Sequence, residues 1–463
     1  MSQSTQTQTE REVKPAARNT TGGLWGVSYR WAVVILIFVV YTIAAADRAN
    51  IGVALPLIKK EFGISNTAAG GIVSLLFMAY AVAQLPAGFL YAKTGVRRVF
   101  PLAMLLTSLF TALQGMTSSV FTLKLARIGL GLSEGPLPIG CLTTVNNWFP
   151  PKEKGTATGI YLAASKCGPV IAPPLCVLIL GFHGNWREIF LWFAIPGVLL
   201  SIIWYLAVTN KPSESKHVSA AELEYITTEK VAATKSVEKV RFQYELKWLD
   251  KLIRAKQVEP IDTSAKLFRS WNIIGNALGY LSMNGLIYVI ISWIPTYLMT
   301  VKGFVSLKMG FLAASPFVGA VIGNIVGGWI SDYILNKRRK PLIIVSGLCT
   351  TIMMYSLINA PDSAMLLGLL LFLAGFSFSL GFAGFSVYPM GVTTKEMYPV
   401  AYGITNLGAQ IGSSLAPFVV GIILDAYNWD VVFKFLAACS IVSVLCIVSV
   451  DEPMNEIIAT KSA

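Results

Sequence analysis

Five ionisable side chains interrupt long apolar stretches of this chain: Asp47, Arg48, Arg127, Glu134 and Lys166. Charges at bilayer depth are costly, so they normally face one another or the path of an ion or substrate. A carboxylate there can take up and release a proton, and a guanidinium can hold a carboxylate through two parallel hydrogen bonds. These residues predict a site for an anion and for protons, and all of them lie in the first half of the chain.

The composition places these charges in a membrane protein. Of the 463 residues, 54% are hydrophobic and only 13% are charged, whereas a soluble domain has about 25% charged residues. The net charge of +13 comes from basic residues in loops and tails beside apolar spans. The positive-inside effect explains that pattern, so we expect lipid around the protein and no nucleic-acid partner.

Twelve apolar runs follow one another along the chain, each close to the roughly 20 residues that a spanning helix needs. We predict an all-α membrane protein with twelve transmembrane helices in two pseudo-symmetric six-helix bundles. The runs are 31–56, 66–92, 98–117, 120–148, 155–181, 187–208, 270–300, 307–332, 341–359, 363–392, 399–426 and 430–450. The predicted parts are an N-terminal tail (1–29), a first bundle (30–208), a linker (209–269), a second bundle (270–450) and a C-terminal tail (451–463).

Orientation follows from the basic residues in the short loops. If the N-terminus is inside, the inner loops hold about twice as many Lys and Arg as the outer loops. Both tails and the linker are therefore expected in the cytoplasm. Helical spacing in Ser219–Ile226 and Tyr244–Ala255 is compatible with short helices on the membrane surface, but we expect a plain connector for the linker.

The two halves also resemble each other. The segment Gly88–Arg98 follows the second run, and a similar one begins at Gly328, 240 positions later. Pro173 and Pro417 are separated by 244 positions in the same way. Two parallel repeats predict a substrate site between the halves, near the midplane of the membrane.

Enzymatic and metal-binding signatures do not occur. The six cysteines are scattered through apolar stretches without a CxxC pair, and the two histidines, His183 and His217, fall in loops. Neither a metal site nor a disulfide framework is indicated, and the chain has no H-E-x-x-H, G-x-S-x-G or P-loop motif. We therefore expect no cofactor, no metal and no enzymatic activity.

Several motifs together resemble the anion:cation symporters of the major facilitator superfamily. They are Asp47-Arg48-Ala49-Asn50, the seven-residue spacing from Arg127 to Glu134, Trp148-Phe-Pro150, Ala221-Glu-Leu-Glu-Tyr-Ile226 and Trp293-Ile-Pro-Thr-Tyr297. The resemblance covers nearly the whole chain. One departure is Ala92, which stands where the superfamily's loop motif has an aspartate.

The resemblance implies a monomeric, proton-coupled symporter that imports an organic anion, often a sugar acid, across the bacterial inner membrane. In such proteins the residue matching Arg48 binds the anion, and carboxylates matching Asp47 and Glu134 carry protons. Arg127 would form a supporting ion pair with one of these carboxylates.

Further substrate contacts are expected from neutral polar side chains. Tyr80, Gln84 and Asn406 match positions near the substrate in a sugar-acid member of the family. Asn284 and Tyr288 are four residues apart, so they share one helix face that could line the same cavity. For each, a hydrogen bond between helices is the alternative to substrate contact.

Lys166 is the unusual charge of the set, and two interpretations stay open. It could bind a second anionic group, which would make the substrate a dianion. It could instead pair with Glu134 or extend its ammonium towards the membrane surface.

Two other functions compete with symport. An organic-anion exchanger of the phosphate antiporter type would carry an arginine on its seventh helix as well, but the run 270–300 contains no basic residue. A transporter-like sensor would bind the ligand and signal through the linker.

Overall fold

The computed structural model describes residues 28–235 and 247–453, apart from residues 305, 336 and 395. The first half contains α1 (Tyr29–Phe62), α2 (Asn66–Thr94), α3 (Val96–Gly115), α4 (Val120–Glu134), α5 (Leu137–Trp148), α6 (Pro151–His183) and α7 (Trp186–Ala207). The segment that follows contains α8 (Ala220–Lys235), α9 (Lys247–Leu252), β1 (Ala255–Lys256) and α10 (Ser264–Arg269). The second half contains α11 (Trp271–Thr300), α12 (Ser306–Trp329), α13 (Lys340–Ser356), α14 (Ala364–Leu380), α15 (Phe382–Val392), α16 (Tyr398–Ala426), α17 (Trp429–Ser449) and β2 (Glu452–Pro453).

These helices confirm the predicted all-α membrane fold. Within the described residues, eleven helical stretches are long and apolar enough to cross a bilayer. The remaining run, 120–148, is divided into α4 and α5 at Gly135 and Pro136. Proline has no N–H to donate and its ring disfavours a continuous helix. Because neither piece alone reaches spanning length, the twelfth crossing is made by the two together.

Among the described residues, the most extensive contacts between the halves are made by three helix pairs: α2 packs on α16, α6 on α12, and α1 on α11. Two of these contacts are related by the internal repeat. A Cβ added to Gly70 would lie 2.5 Å from the carbonyl oxygen of Pro417, and one added to Gly310 would lie 3.1 Å from that of Pro173. Glycine therefore lets the backbones approach closely at both positions.

The contacts between halves are concentrated at one end of the molecule. We call the end at which α1 begins the inner end, and the end at which α1 finishes the outer end. At the outer end, Asp425 accepts hydrogen bonds from the backbone N–H groups of Asn66 (2.8 Å) and Thr67 (2.7 Å) at the start of α2. At the inner end, a Cβ added to Gly88 or to Gly403 would meet no non-local atom within 4 Å among the described residues. The structure is thus closed at the outer end and open at the inner end.

The linker is attached to both halves. Glu222 of α8 accepts hydrogen bonds from the backbone N–H groups of Tyr29 and Arg30, each at 3.0 Å, and pairs with the Arg30 guanidinium. On the other side, Asp250 of α9 pairs with Arg338 at 2.5 Å, and β1 pairs with β2 in parallel. The helical spacing seen in the sequence therefore corresponds to docked helices more than to a plain connector.

Candidate substrate and proton site

Asp47 and Arg48 lie near the middle of the 34-residue helix α1, where they are 1% and 7% exposed. Adjacent residues of a helix point about 100° apart, so the two side chains reach different neighbours. α1 is packed against α6 at this depth, since a Cβ added to Gly168 would lie 2.5 Å from the Cβ of Ala45. The two charges are therefore held by a tightly packed pair of helices.

Arg48 forms an ion pair with Glu134, the last residue of α4. Its Nη1 lies 2.7 Å from the Glu134 Oε2, and Glu134 is fully buried. Glycines fix the position of this end of α4: a Cβ added to Gly131 would lie 2.2 Å from the Leu76 carbonyl oxygen, and one added to Gly135 would lie 2.7 Å from that of Tyr80. The glycines around Glu134 thus allow its helix to pack closely on α2.

Arg127 lies two turns before Glu134 and is fully buried. It interacts electrostatically with both Glu134 and Asp47, but none of its three guanidinium nitrogens has a hydrogen-bond partner among the described residues. The structure therefore differs from the expected direct ion pair, because Glu134 pairs with Arg48 instead. One oxygen each of Asp47 and Glu134 also lacks a partner in the described part of the chain.

These unpaired atoms matter because buried polar groups in proteins are nearly always hydrogen-bonded. The cluster of Asp47, Arg48, Arg127 and Glu134 contains more polar atoms than its own side chains satisfy. Such a site can accept a proton or a polar ligand without first breaking every internal contact. Among the described residues, no group of three or more His, Cys, Asp or Glu side chains is arranged to hold a metal ion.

Aromatic rings surround the Arg48 guanidinium. Its central carbon lies 5.5 Å from the ring centroid of Tyr41 and 5.8 Å from that of Tyr80. Tyr288, from the second half, interacts electrostatically with Arg48, and Tyr161 packs on Tyr41 with a centroid separation of 4.6 Å. We call Tyr41, Tyr80, Tyr161 and Tyr288 the tyrosine cage. The sequence interpretation included Tyr80 and Tyr288 but missed Tyr41, although its place seven residues before Arg48 puts it on the same helix face.

Gln84 and Asn406 form a bridge between the halves. The Asn406 Nδ2 donates to the Gln84 Oε1 at 2.9 Å, joining α2 to α16. Both residues were expected near the substrate, and the structure brings them together. Because the bridge joins two neutral amides, it can open and offer donors and acceptors to a hydroxyl group.

Asn284 and Tyr288 have different surroundings, and the Asn284 side chain is bonded to α16 and not to Arg48. Its Nδ2 donates to the Ala409 carbonyl oxygen (3.0 Å) and to the Ser413 Oγ (2.7 Å), both on α16. Tyr288 packs instead on Phe77 of α2, with ring centroids 4.2 Å apart. The structure thus favours the interhelical alternative for Asn284 and the site for Tyr288.

Lys166 reaches the boundary between the halves. Its ammonium nitrogen lies 4.3 Å from the ring centroid of Phe382 at the start of α15, and its side chain is partly buried. No ion pair between Lys166 and Glu134 is present, and in the described part of the chain no carboxylate lies within ion-pair distance of Lys166. One alternative from the sequence, pairing with Glu134, is therefore not what the structure has.

Comparisons with known proteins agree with this architecture. The family model described as Major Facilitator Superfamily matches residues 37–417. A probable galactarate/D-glucarate transporter of Bacillus subtilis is 28% identical, over 97% of this chain and 96% of that protein. A D-galactonate transporter of Escherichia coli is 27% identical, over 90% of this chain and 94% of that protein.

A solved structure shows the same fold. It is a bacterial homologue of the human lysosomal transporter Spinster, in an inward-facing and occupied conformation, with a TM-score of 0.69 and 17% sequence identity. The match covers 90% of this chain and 95% of that one. Together with the curated relatives, it confirms the predicted resemblance and the predicted fold. The chain belongs to the major facilitator superfamily, and it is a membrane transporter and not an enzyme.

Proposed function

We propose that this transporter is a proton-coupled symporter that imports an organic anion of the sugar-acid class by alternating access. The observation that carries the proposal is the buried ion pair between Arg48 and Glu134 at 2.7 Å. The names of the curated relatives, which refer to galactarate, D-glucarate and D-galactonate, support the substrate class.

The coupling follows from competition for one cation. When a substrate carboxylate binds Arg48, it takes the place of Glu134, which then loses the charge that favoured its ionised form. A buried carboxylate without a cationic partner binds a proton more readily. Substrate binding therefore promotes proton binding, and by linkage proton binding promotes substrate binding to the same extent.

Asp47 is the second proposed proton site. It is almost fully buried, and Arg127 interacts electrostatically with both Asp47 and Glu134. A shared cation lets a change at one carboxylate alter the proton affinity of the other. In this scheme Arg127 supports both proton sites without binding the substrate.

The proposed substrate contacts lie around Arg48. Arg48 would bind the carboxylate, Tyr80 and Tyr288 would border it, and Gln84 and Asn406 would exchange their mutual hydrogen bond for bonds to substrate hydroxyls. Asn284 would contribute indirectly, because it holds α11 to α16 beside Tyr288.

The open inner end corresponds to the cytoplasm in this proposal, with both termini there and the outer end facing the outside of the bacterial inner membrane. The protein would act as a monomer, because the site is formed by the two halves of one chain. An exchanger of the phosphate antiporter type is less well supported: the seventh span, α11, contains no basic residue.

Reconstituted vesicles provide the test. We expect an inward proton gradient to drive accumulation of labelled galactonate or galactarate, and a protonophore to abolish it. Exchange of internal for external substrate should continue without any gradient. Uptake that does not depend on the proton gradient but requires an anion on the opposite side of the membrane would establish an exchanger. Binding without transport would establish a sensor.

A further inference from the structure

Lys166 carries a positive charge that is not paired with any acidic side chain of the described residues. Its ammonium contacts the Phe382 ring at 4.3 Å, and within the described residues no acidic side chain lies within 4 Å of it. An aromatic face attracts a cation only weakly. A lysine at the boundary of the two halves is therefore free to bind an anion.

The site as a whole also has more positive than negative charges. The mid-membrane positions hold three bases, Arg48, Arg127 and Lys166, and two acids, Asp47 and Glu134. With both acids ionised, the set carries a net charge of 3 − 2 = +1. Each proton taken up by Asp47 or Glu134 adds one more positive charge, so the set with one proton bound carries +2.

An uncompensated buried charge is strongly unfavourable, and the transporter must enclose its site completely when it passes between its two open states. A monoanion would leave the singly protonated site at +1, whereas a dianion would make it neutral. The charge balance therefore favours a substrate with two negative charges, provided that the proposed coupling holds and one proton accompanies each substrate.

We propose that the substrate is a dianion, of the aldarate or similar dicarboxylate class, whose second carboxylate binds Lys166 while the first binds Arg48. The two cations suit this arrangement because they belong to different helices of the first half, α1 and α6, and both face aromatic residues of the second half. Phe382 packs edge-on against Tyr280, with centroids 5.2 Å apart, and Tyr280 is close enough to Tyr288 beside Arg48 for an electrostatic interaction. Tyr280 therefore lies between the surroundings of the two cations.

This inference rests on the proposed function, so its test uses two probes that share their hydroxyl configuration. Galactarate has a carboxylate at each end, whereas D-galactonate has a carboxylate at one end and a hydroxymethyl group at the other. We expect the purified wild-type protein to bind galactarate at least about 10-fold more tightly than galactonate, since a charge-assisted hydrogen bond supplies that difference.

Lys166→Gln should remove the preference. Galactarate affinity is expected to fall about 10- to 100-fold, the loss of one charge-assisted contact, while galactonate affinity stays unchanged. Lys166→Arg keeps the charge and should retain most of the preference. Lys308→Gln is the matched control, because Lys308 contacts the Phe304 ring at 5.0 Å near the start of α12 and lies outside the site.

The outcomes separate the two proposals. Equal binding of both probes, unaffected by Lys166→Gln, would overturn the dianion proposal but leave sugar-acid symport standing. Failure to bind or transport either probe, with a folded protein, would count against the proposed substrate class itself. Thermal unfolding of each variant without ligand shows whether a loss of binding reflects a loss of folding.

Discussion

Glu134, at the end of α4, accepts a hydrogen bond from the Arg48 Nη1 at 2.7 Å. This ion pair joins α4 to α1 inside the membrane. The cation proposed to bind substrate is thus already bound by the carboxylate proposed to carry the proton. The substrate carboxylate and Glu134 then compete for one guanidinium, so substrate binding and protonation of Glu134 favour each other. No distant conformational signal is needed to couple them.

Replacing Glu134 with glutamine tests this competition. Glu134→Gln keeps the size of the side chain and an acceptor for Arg48 but cannot ionise. We expect accumulation driven by a pH gradient to be lost while counterflow exchange is retained, because exchange requires binding and movement but no net proton transfer. Labelled-substrate uptake in vesicles measures both.

A matched control is Glu153→Gln, which alters another glutamate paired with an arginine, Arg30, at 2.8 Å near the inner end. This variant should remain driven by the pH gradient. Loss of both uptake and counterflow in Glu134→Gln would indicate that Glu134 is needed for binding or folding and would contradict its role as a proton carrier.

Arg48→Lys is expected to weaken substrate binding about 10- to 100-fold although the charge is kept, because an ammonium cannot form the parallel pair of hydrogen bonds. Binding can be measured by ligand-induced thermal stabilisation or calorimetry. Arg30→Lys, at the ion pairs of the inner end, should leave affinity unchanged. Equal effects of the two variants would show that Arg48 has only a structural role.

The bridge between Gln84 and Asn406 predicts a specific pattern in a double-mutant cycle. Gln84→Ala and Asn406→Ala should each lower affinity, by about 3- to 10-fold for the loss of one neutral hydrogen bond. If both amides bind the same region of the substrate, the double variant should lose less than the product of the two single effects. Fully independent effects would show that the residues contact separate parts of the substrate.

Asp425→Asn should favour opening at the outer end. Asp425 accepts hydrogen bonds from the first two N–H groups of α2, in the manner of a helix cap supplied by the other half. A cap is worth about 1 kcal/mol, so the balance between states should shift roughly five-fold. Hydrogen exchange should rise at the start of α2 and fall at the inner end.

The opposite changes at the two ends are essential to that prediction. Faster exchange at α2 alone would indicate local fraying without a shift between states. Asp430→Asn is the control, since Asp430 lies in the first turn of α17 at the same end and should leave both ends unchanged.

Much of the architecture was predictable because a spanning helix requires only apolar length, which the sequence displays directly. The division of run 120–148 was not, because prolines such as Pro173 and Pro174 lie inside the unbroken helix α6, whereas Pro136 coincides with a break. Whether a proline bends or ends a helix depends on what its neighbours provide for the freed backbone groups.

In the site, too, some features were predictable from the sequence and others were not. The charged residues stand out because charge is rare inside a membrane, but their pairing depends on how helices are placed relative to one another. Arg127 and Glu134 share a helix face, yet Glu134 reaches Arg48 on another helix. Similarly, Asn284 and Tyr288 share a face, and only contact with α16 reveals that Asn284 is used between helices.

The attachment of the linker has a mechanical consequence. Glu222 fixes α8 to the first half, and Asp250 fixes α9 to the second. Between the end of α8 at Lys235 and the start of α9 at Lys247, the chain can extend to at most about 40 Å. Covalent geometry alone therefore gives the linker a maximum reach, which sets an upper limit on how far the halves can separate on the inner side.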